Sequence, residues 1–421
     1  MRTVETINAI IMALFFLCYS YQFVYLAIGL FAKPKKTEAA ALRRRIAVLI
    51  AARNEEAVIG QLLDSVRAQN YPPELLDAYV VADNCTDATA VIARAHGAEV
   101  FARQDTRHVG KGYALQFLLD RIREQQHYDA YLVLDADNIL DPNFVREITA
   151  VHDQGYGVVT CYRNSKNYGD NWISAGYALW FLREARYLNG ARMAAGSSCA
   201  VSGTGFLFSD EVLRKCGGWH FFLLTEDIEF TIDNVVRDVK IGYARNAVLY
   251  DEQPTLFRQS WRQRMRWSKG YLQVFGKYGG KLIRGILRGS FSCYDMAMNI
   301  MPAAILTGAS AVINLGAAVY AFAGGGSLPA LGFSVLQTLG SLYLTLFLLG
   351  AVTTVTEWRN IHCSAGKKVL YAFTFPLFML TYLPICAASL FARPEWKPIQ
   401  HRRSMTLDQI RATALPDSRS A

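Results

Sequence analysis

Five short polar clusters, far apart in the chain, carry residue types suited to bond chemistry. They are Arg53-Asn54-Glu55, Asp83-Asn84, Asp135-Ala136-Asp137, Thr225-Glu226-Asp227 and Gln263-Arg264-Met265-Arg266-Trp267. Asp135 and Asp137 form a D-x-D, which can share a hard divalent cation with the two phosphates of a nucleoside diphosphate-sugar, anchoring it and neutralising the leaving group. Two turn-forming aspartates capping the next helix would leave the same letters. Asp83-Asn84 either hydrogen-bonds a base or ribose or caps the helical pattern that begins at Thr86. Lys111, between Gly110 and Gly112, is a surface loop lysine or a group that reaches a phosphate or the base.

The Thr225-Glu226-Asp227 cluster opens a helical pattern downstream of the small-residue run Ser202-Gly203-Thr204-Gly205. Direct displacement at an anomeric carbon needs one carboxylate to take the acceptor's proton, and this cluster can supply it. The attraction of acidic residues to a helix N-terminus explains it more simply. In the last cluster a guanidinium can clamp a diphosphate and an indole face can stack on a sugar ring. A basic, aromatic helix lying in a membrane interface would need neither role.

The elements that position these clusters follow from periodicity. Ile46 to Ala52 reads as a buried strand, and Val58, Leu62 and Val66 mark a helix within Glu56 to Gln69. A second strand at Ala78 to Ala82 precedes a helix at Thr86 to His96, with a third short strand near Val100. A helix at Gly112 to Glu124 leads to a fourth strand at Ala130 to Leu134. Alternation of this kind predicts right-handed crossovers and a largely parallel sheet, with ligands beyond the carboxyl ends of the strands. Arg53 to Glu55, Asp83-Asn84 and Asp135 to Asn138 sit at those ends, so they are expected to converge in one crevice.

Around this unit the composition changes. The chain has 421 residues, 52% hydrophobic and 19% charged, and the apolar ones gather at its two ends. Ile7 to Phe31 holds no charge and is long enough for one span. A cleaved leader fits poorly, because the run is too long, lacks a small-x-small site, and ends in Lys33, Lys35, Lys36 and Arg43 to Arg45. That basic cluster predicts that the chain beyond Lys33 begins in the cytosol. Thr255 to Arg288 reads as an amphipathic interfacial helix, followed by Met296 to Ala323 and Leu328 to Val355, which are joined by a Gly-Gly-Gly turn. A third run, Val369 to Ala392, is broken by Pro376 and Pro384. Both its flanks are basic, so charge places the tail (Arg393, Lys397, Arg402, Arg403) inside while span counting places it outside; a re-entrant or strongly kinked segment reconciles the two. A net charge of +9 suits anionic lipid and phosphate-bearing substrates, and no groove-reading motif supports nucleic acid. The eight cysteines form no C-x-x-C pair and are expected reduced.

Taken in order, Asn54-Glu55, Asp83, Asp135-x-Asp137, Thr225-Glu226-Asp227 and Gln263-x-x-Arg266-Trp267 resemble the membrane-bound processive members of glycosyltransferase family 2, among them cellulose, hyaluronan, chitin and poly-N-acetylglucosamine synthases. The resemblance runs from about Arg45 to Trp267. It implies a Rossmann-like GT-A α/β domain with a mostly parallel sheet, and inversion of an α-linked UDP-sugar, UDP-Glc or UDP-GlcNAc, into a β-linked product. It implies contact of Asp83 with the uridine, Mg2+ or Mn2+ held chiefly by Asp137 with Asp135 beside it, and Asp227 as general base. Thr225 and Glu226 would position the acceptor, Gln263 and Arg266 the diphosphate, and Trp267 would stack on the acceptor sugar; Gly203 and Thr204 fall in the acceptor-proximal loop. Arg53, Glu55 and Lys111 belong to the nucleotide side. The chain departs from the pattern at Ala51-Ala52-Arg53, where many relatives have Pro-Thr-x and Arg53 replaces a threonine contact, and at Asp83-Asn84, where relatives have two aspartates.

The expected organisation is a span at 1–32, a basic linker at 33–44, a cytosolic catalytic domain at 45–254, interfacial helices at 255–290, two or three membrane segments at 291–392 and a basic tail at 393–421, the whole a multi-pass protein of the cell (inner) membrane. So few spans enclose little lumen, which argues against long-chain secretion by one copy and leaves a homo-oligomer or an export partner open. Trp396 to Ile399 would correspond to the family's gating segment. The acceptor is a growing glycan or, by the alternative reading, a lipid that receives a single sugar; a non-catalytic sugar-nucleotide-binding subunit would require loss of Asp137 or Asp227, and both are present.

Overall fold

The computed structural model describes residues 2–32, 40–320, 322–323, 328–392, 401 and 403–413. Lys33, Lys35, Lys36, the Gly-Gly-Gly turn, Arg393, Trp396 to Ile399 and Arg402 lie outside the described residues. At the centre is a mixed sheet of eight strands: β1 (Ile46–Ala52), β2 (Leu76–Asp83), β3 (Glu99–Arg103), β4 (Ala130–Asp135), β5 (Ile139–Leu140), β6 (Val158–Ser165), β7 (Phe206–Ser209) and β8 (Ile241–Asp251). Their spatial order is β3-β2-β1-β4-β7-β6-β8-β5. The first four strands in space run parallel, β7 enters antiparallel to both β4 and β6, and β6 and β8 are again parallel. The GT-A-like α/β architecture is therefore as expected, with β7 as an antiparallel intruder.

The parallel half forms because β1 is apolar at every position. Ala47 and Leu49 face one core with α5 (Lys111–Gln125), while Ile46, Val48 and Ile50 face the other with α3 (Ile59–Arg67) and α4 (Thr89–Ala95). Burial on both faces is what a near-continuous Val/Ile/Leu/Ala run signals. At the ends of β1 and β2, Asn54 and Asn84 take left-handed backbone conformations, with φ of 58° and 53°. Asparagine tolerates that region because its short amide bonds locally. The Asn54 side-chain oxygen accepts from the Thr86 N–H at 2.8 Å, and the Asn84 amide pairs with the Asp105 peptide at 2.9 and 3.0 Å. Both asparagines thus shape the strand-end turns.

Helices α6 (Phe144–His152), α7 (Trp172–Arg183), α8 (Gly190–Ala195), α9 (Asp210–Cys216) and α10 (Glu226–Val236) complete the unit, with a π-helical stretch, Glu184–Asn189, joining α7 to α8. Outside it lie α1 (Arg2–Tyr19) and α2 (Tyr21–Phe31), then α11 (Phe257–Leu287), α12 (Phe291–Ile300), α13 (Pro302–Tyr320), α14 (Leu328–Thr356), α15 (Ala365–Leu380) and α16 (Tyr382–Phe391); a short α17 (Leu407–Ala412) ends the described chain. Two stretches, Val335–Thr356 and Ala365–Phe391, are long and apolar enough to cross a membrane, and α1 with α2 makes a third if that pair, bent by 41°, counts as one span. The apolar run from Met296 to Ala323 is divided between α12 and α13, with Pro302 opening α13.

The outer helices are tied to the α/β unit by buried polar contacts. Arg192 and Asp295, 1% and 0% exposed, form a two-pronged ion pair at 2.7 and 2.9 Å, and Tyr21 and Tyr25 donate to the same carboxylate. Removing one charge of such a pair strands the other. Asp295→Asn is expected to destabilise the fold by about 3–5 kcal/mol, seen as a lower thermal midpoint in detergent. Glu211→Gln, at the exposed Lys215–Glu211 pair, is expected to leave the midpoint unchanged; equal shifts in the two variants would refute this ranking.

Candidate active site

A cavity of about 480 Å³ opens beyond the carboxyl ends of the strands. Of the residues singled out from sequence, Arg53, Glu55, Asp83, Lys111, Asp135, Asp137, Gly203, Thr225, Glu226, Asp227, Gln263, Arg266 and Trp267 all line it. Thr204 does not line it. Its hydroxyl accepts the Asp135 N–H at 2.9 Å and donates to Asn138 at 2.5 Å, so it supports the D-x-D turn from behind rather than facing an acceptor.

At the nucleotide end Asp83 is almost fully buried and receives a hydrogen bond from Arg103 at 2.6 Å, which fixes its carboxylate at the tip of β2. Lys111, at the first turn of α5, donates to Asp135 and, at 2.7 Å, to the Gly203 carbonyl. Its pKa is raised: burial acts against the charge, and Asp135 with Glu226 and Asp227 outweighs it. Gly112 lets α5 approach this closely, because a Cβ there would lie 2.0 Å from the Phe221 carbonyl oxygen.

Beside Asp135 the carboxylates crowd. Asp137 accepts the Glu252 N–H at 2.7 Å and lies near Glu55 and Asp251. Burial, together with this crowding, raises Glu55 and Asp251 above the ordinary carboxylate range. Asp137 is instead lowered: burial pushes it up, but the charges of His401, Lys166 and Arg163 prevail. His401 comes from the tail and bonds both Glu55 oxygens at 3.0 and 3.1 Å. Burial acts to lower its pKa, yet Asp137, Glu55 and Glu252 hold it at about 10, so it is an imidazolium. Arg163 is paired with Asp251 and stacked 3.7 Å over the Phe181 ring.

Across the cavity, Thr225 precedes α10, so Glu226 and Asp227 fall in its first turn. Asp227 accepts the Gly203 N–H at 2.7 Å. Burial raises both carboxyl groups, and the neighbouring Asp227 charge adds to it at Glu226, which is carried to about 7. Gly270 lets α11 lie over this segment, since a Cβ there would come within 2.5 Å of the Thr225 hydroxyl. That approach brings Arg266 to donate to the Leu224 carbonyl at 2.9 Å. The Gln263 side-chain oxygen is buried at the cavity wall without a partner. Trp267 meets Tyr177 and Phe181 edge-on, with centroids at 5.7 and 6.2 Å.

Reading the sequence missed His401, Arg163 with Asp251, Arg103 and Glu184. Arg163 lies in β6 near its end and Asp251 ends β8, so the strand-end rule would have found both had the strand reading gone beyond β4. His401 is 346 residues from Glu55 in sequence and left no local signal.

Residues 43–270 match the family described as glycosyltransferase like family 2. A β-monoglucosyldiacylglycerol synthase of Synechocystis is 25% identical over 236 residues, 56% of this chain and 49% of that protein. A poly-β-1,6-N-acetyl-D-glucosamine synthase of Staphylococcus aureus is 27% identical over 236 residues, covering 54% and 55%. The chain thus spans about half the length of these relatives. Among solved structures, the mannosyltransferase PcManGT of Pyrobaculum calidifontis, in complex with GDP-Man and Mn2+, shares the fold over 91% of this chain and 98% of its own, with a TM-score of 0.57 and 17% identity.

Burial and the charge of Asp227 hold Glu226 at about 7, so Asp227→Asn is expected to lower the Glu226 titration by about one pH unit, followed through its carboxyl band by difference infrared spectroscopy. A Glu226 titration that stays in place would show that the two carboxylates titrate independently.

Proposed function

The chain belongs to glycosyltransferase family 2, and on that premise we propose that it is an inverting transferase which moves a sugar from a UDP-sugar, UDP-Glc or UDP-GlcNAc, to an acceptor hydroxyl at the membrane. One observation carries the reading: Asp137, Asp227 and the adjacent Arg266 and Trp267, from three distant parts of the chain, face a single cavity. Asp227 takes the proton from the acceptor hydroxyl. Burial makes it a stronger base than a free carboxylate, and the Gly203 N–H fixes one of its oxygens. Arg266 and Gln263 hold the diphosphate, the guanidinium and the Gln263 amide NH2 donating to its oxygens. Trp267, braced by Tyr177 and Phe181, gives a sugar ring a flat apolar face.

Asp135 and Asp137 suit Mg2+ or Mn2+. They are hard oxygen donors on one turn facing the cavity, and such ions bind through one or two carboxylates plus substrate phosphates rather than a complete protein cage. Consistent with that, the described residues hold no cluster of three or more metal-ligating side chains. Bound there, the ion would neutralise the departing diphosphate.

Two products are open to this site. Repeated addition to a glycan follows from the resemblance to polysaccharide synthases. Single transfer to a lipid is favoured by the cavity itself, which continues to Tyr19, Gln22, Met298 and Leu383 on the helices outside the α/β unit. The α/β unit lies in the cytosol in this proposal. Lys367, near the start of α15, donates to the Gly169 carbonyl of the α/β unit, and Lys269 of α11 donates to the Leu390 carbonyl near the end of α16.

The test is UDP release by the full-length protein in nanodiscs, against a panel of UDP-sugars with and without Mn2+. Release is expected only with metal and is expected to fall by about 10³-fold or more in Asp227→Asn. Undiminished release in that variant would remove Asp227 as the base, and no release with any UDP-sugar would remove the donor class. Product length on a labelled donor separates the two acceptor readings.

A further inference from the structure

The membrane end of the cavity holds a buried cation for which the transfer reaction has so far supplied no partner. Arg183 ends α7, where the helix widens into the π-helical stretch, and its side chain lines the cavity while only 7% exposed. One nitrogen donates to Gln22 at 2.7 Å, from the helix just after the α1–α2 break. The guanidinium lies 5.1 Å from the Trp180 ring, and Nε has no hydrogen-bond partner.

Other buried arginines of the unit are differently placed. Arg103, Arg163 and Arg192 each face an aspartate. Arg264 also lacks a carboxylate, but it is engaged with the Phe378 carbonyl, the Thr381 hydroxyl and three aromatic rings, and it does not line the cavity. Among the described residues Arg183 alone combines burial, cavity exposure and the lack of an ion-paired carboxylate.

A guanidinium with open donors in a desolvated wall is matched by a phosphate, which accepts its forked N–H groups. The surrounding wall is apolar and aromatic, made by Trp180, Leu188 and Met298 together with Tyr19. We propose that Arg183 and Gln22 form an anion subsite for the phosphate of a lipid acceptor, with the lipid's apolar chain directed along the outer helices. This assignment rests on the reading of the cavity as the acceptor's. The subsite is close to the chemistry: Glu184, the next residue, accepts from Ser202 at 3.3 Å, and the adjoining Gly203 N–H holds Asp227. A phosphate at Arg183 therefore suits a short, lipid-borne acceptor.

The neighbouring charges do not cancel the site. Burial lowers Arg183 to about 10, so it remains a cation at neutral pH, with Glu184 and Tyr21 acting to raise it and Arg192 to lower it. Burial raises the Glu184 carboxyl above the ordinary carboxylate range.

The experiment is a tryptophan-fluorescence titration of the full-length protein in nanodiscs, without donor, using farnesyl phosphate, farnesol and inorganic phosphate as probes. Wild type is expected to bind farnesyl phosphate about 10-fold or more tighter than either other probe. Arg183→Gln should abolish the preference over farnesol, Arg183→Lys should restore part of it, and Gln22→Leu should weaken it about 3-fold with the charge left in place. UDP binding in the presence of Mn2+ should be the same in all four proteins, which reports that the variants are folded. Equal binding of farnesyl phosphate and farnesol by wild type, or a preference that survives Arg183→Gln, overturns the proposal. Inorganic phosphate binding as tightly as farnesyl phosphate overturns the lipid source. Asp227→Asn should bind farnesyl phosphate like wild type, so a failure of the transfer reading and a failure of this one give different results.

Discussion

The peptide group of Gly203 is the point on which the site turns. Its N–H holds the carboxylate of Asp227, and its carbonyl takes the ammonium of Lys111, which in turn holds Asp135. In the proposed reaction two acidic centres share the cavity, one to bind a cation and one to accept a proton, and unbuffered they would repel across a buried space. A neutral peptide and a single lysine between them set their spacing and keep them from sharing a proton. Glycine suits the position, because a φ of 75° strains most side chains.

The outer helices serve this arrangement more than they surround it. α11 reaches the Thr225 segment only because Gly270 has no side chain, and the same approach delivers Gln263, Arg266 and Trp267 to the cavity. Close backbone approach is also the role of Gly112 beneath Phe221. Both contacts clamp the segment that leads into α10, one from each side. Asp227 is thereby positioned by packing across three separate parts of the chain, and burial raises its pKa.

Much of this was legible in the sequence where chemistry and periodicity coincide. The β1 boundaries are those of its apolar run, and polar residues following an apolar strand in a parallel sheet have only the carboxyl-end crevice to occupy. The illegible parts are those decided by packing between distant segments. Thr204 carries the same hydroxyl whether it meets an acceptor or supports a turn, and only the fold directs it to Asp135. His401 has no local signature, because the field that makes it a cation comes from Glu55, Asp137 and Glu252. The pair Asp83-Asn84 divided its work: the aspartate faces the cavity, and the asparagine staples the loop at Asp105.

The conflict between positive charge and span counting at the C-terminus has a physical answer in the contacts. His401 reaches Glu55, Arg411 pairs with Asp141 at 2.8 Å, and Ile410 is fully buried beside Ile139 and Tyr250. The described tail thus packs on the α/β unit and shares its side. The Ala365–Phe391 stretch that precedes it is apolar and long enough to cross a membrane, and its start is tied to the α/β unit where Lys367 donates to the Gly169 carbonyl. At its middle Arg264 donates to the Phe378 carbonyl and the Thr381 hydroxyl, so a buried guanidinium that lipid would not tolerate is met by protein groups.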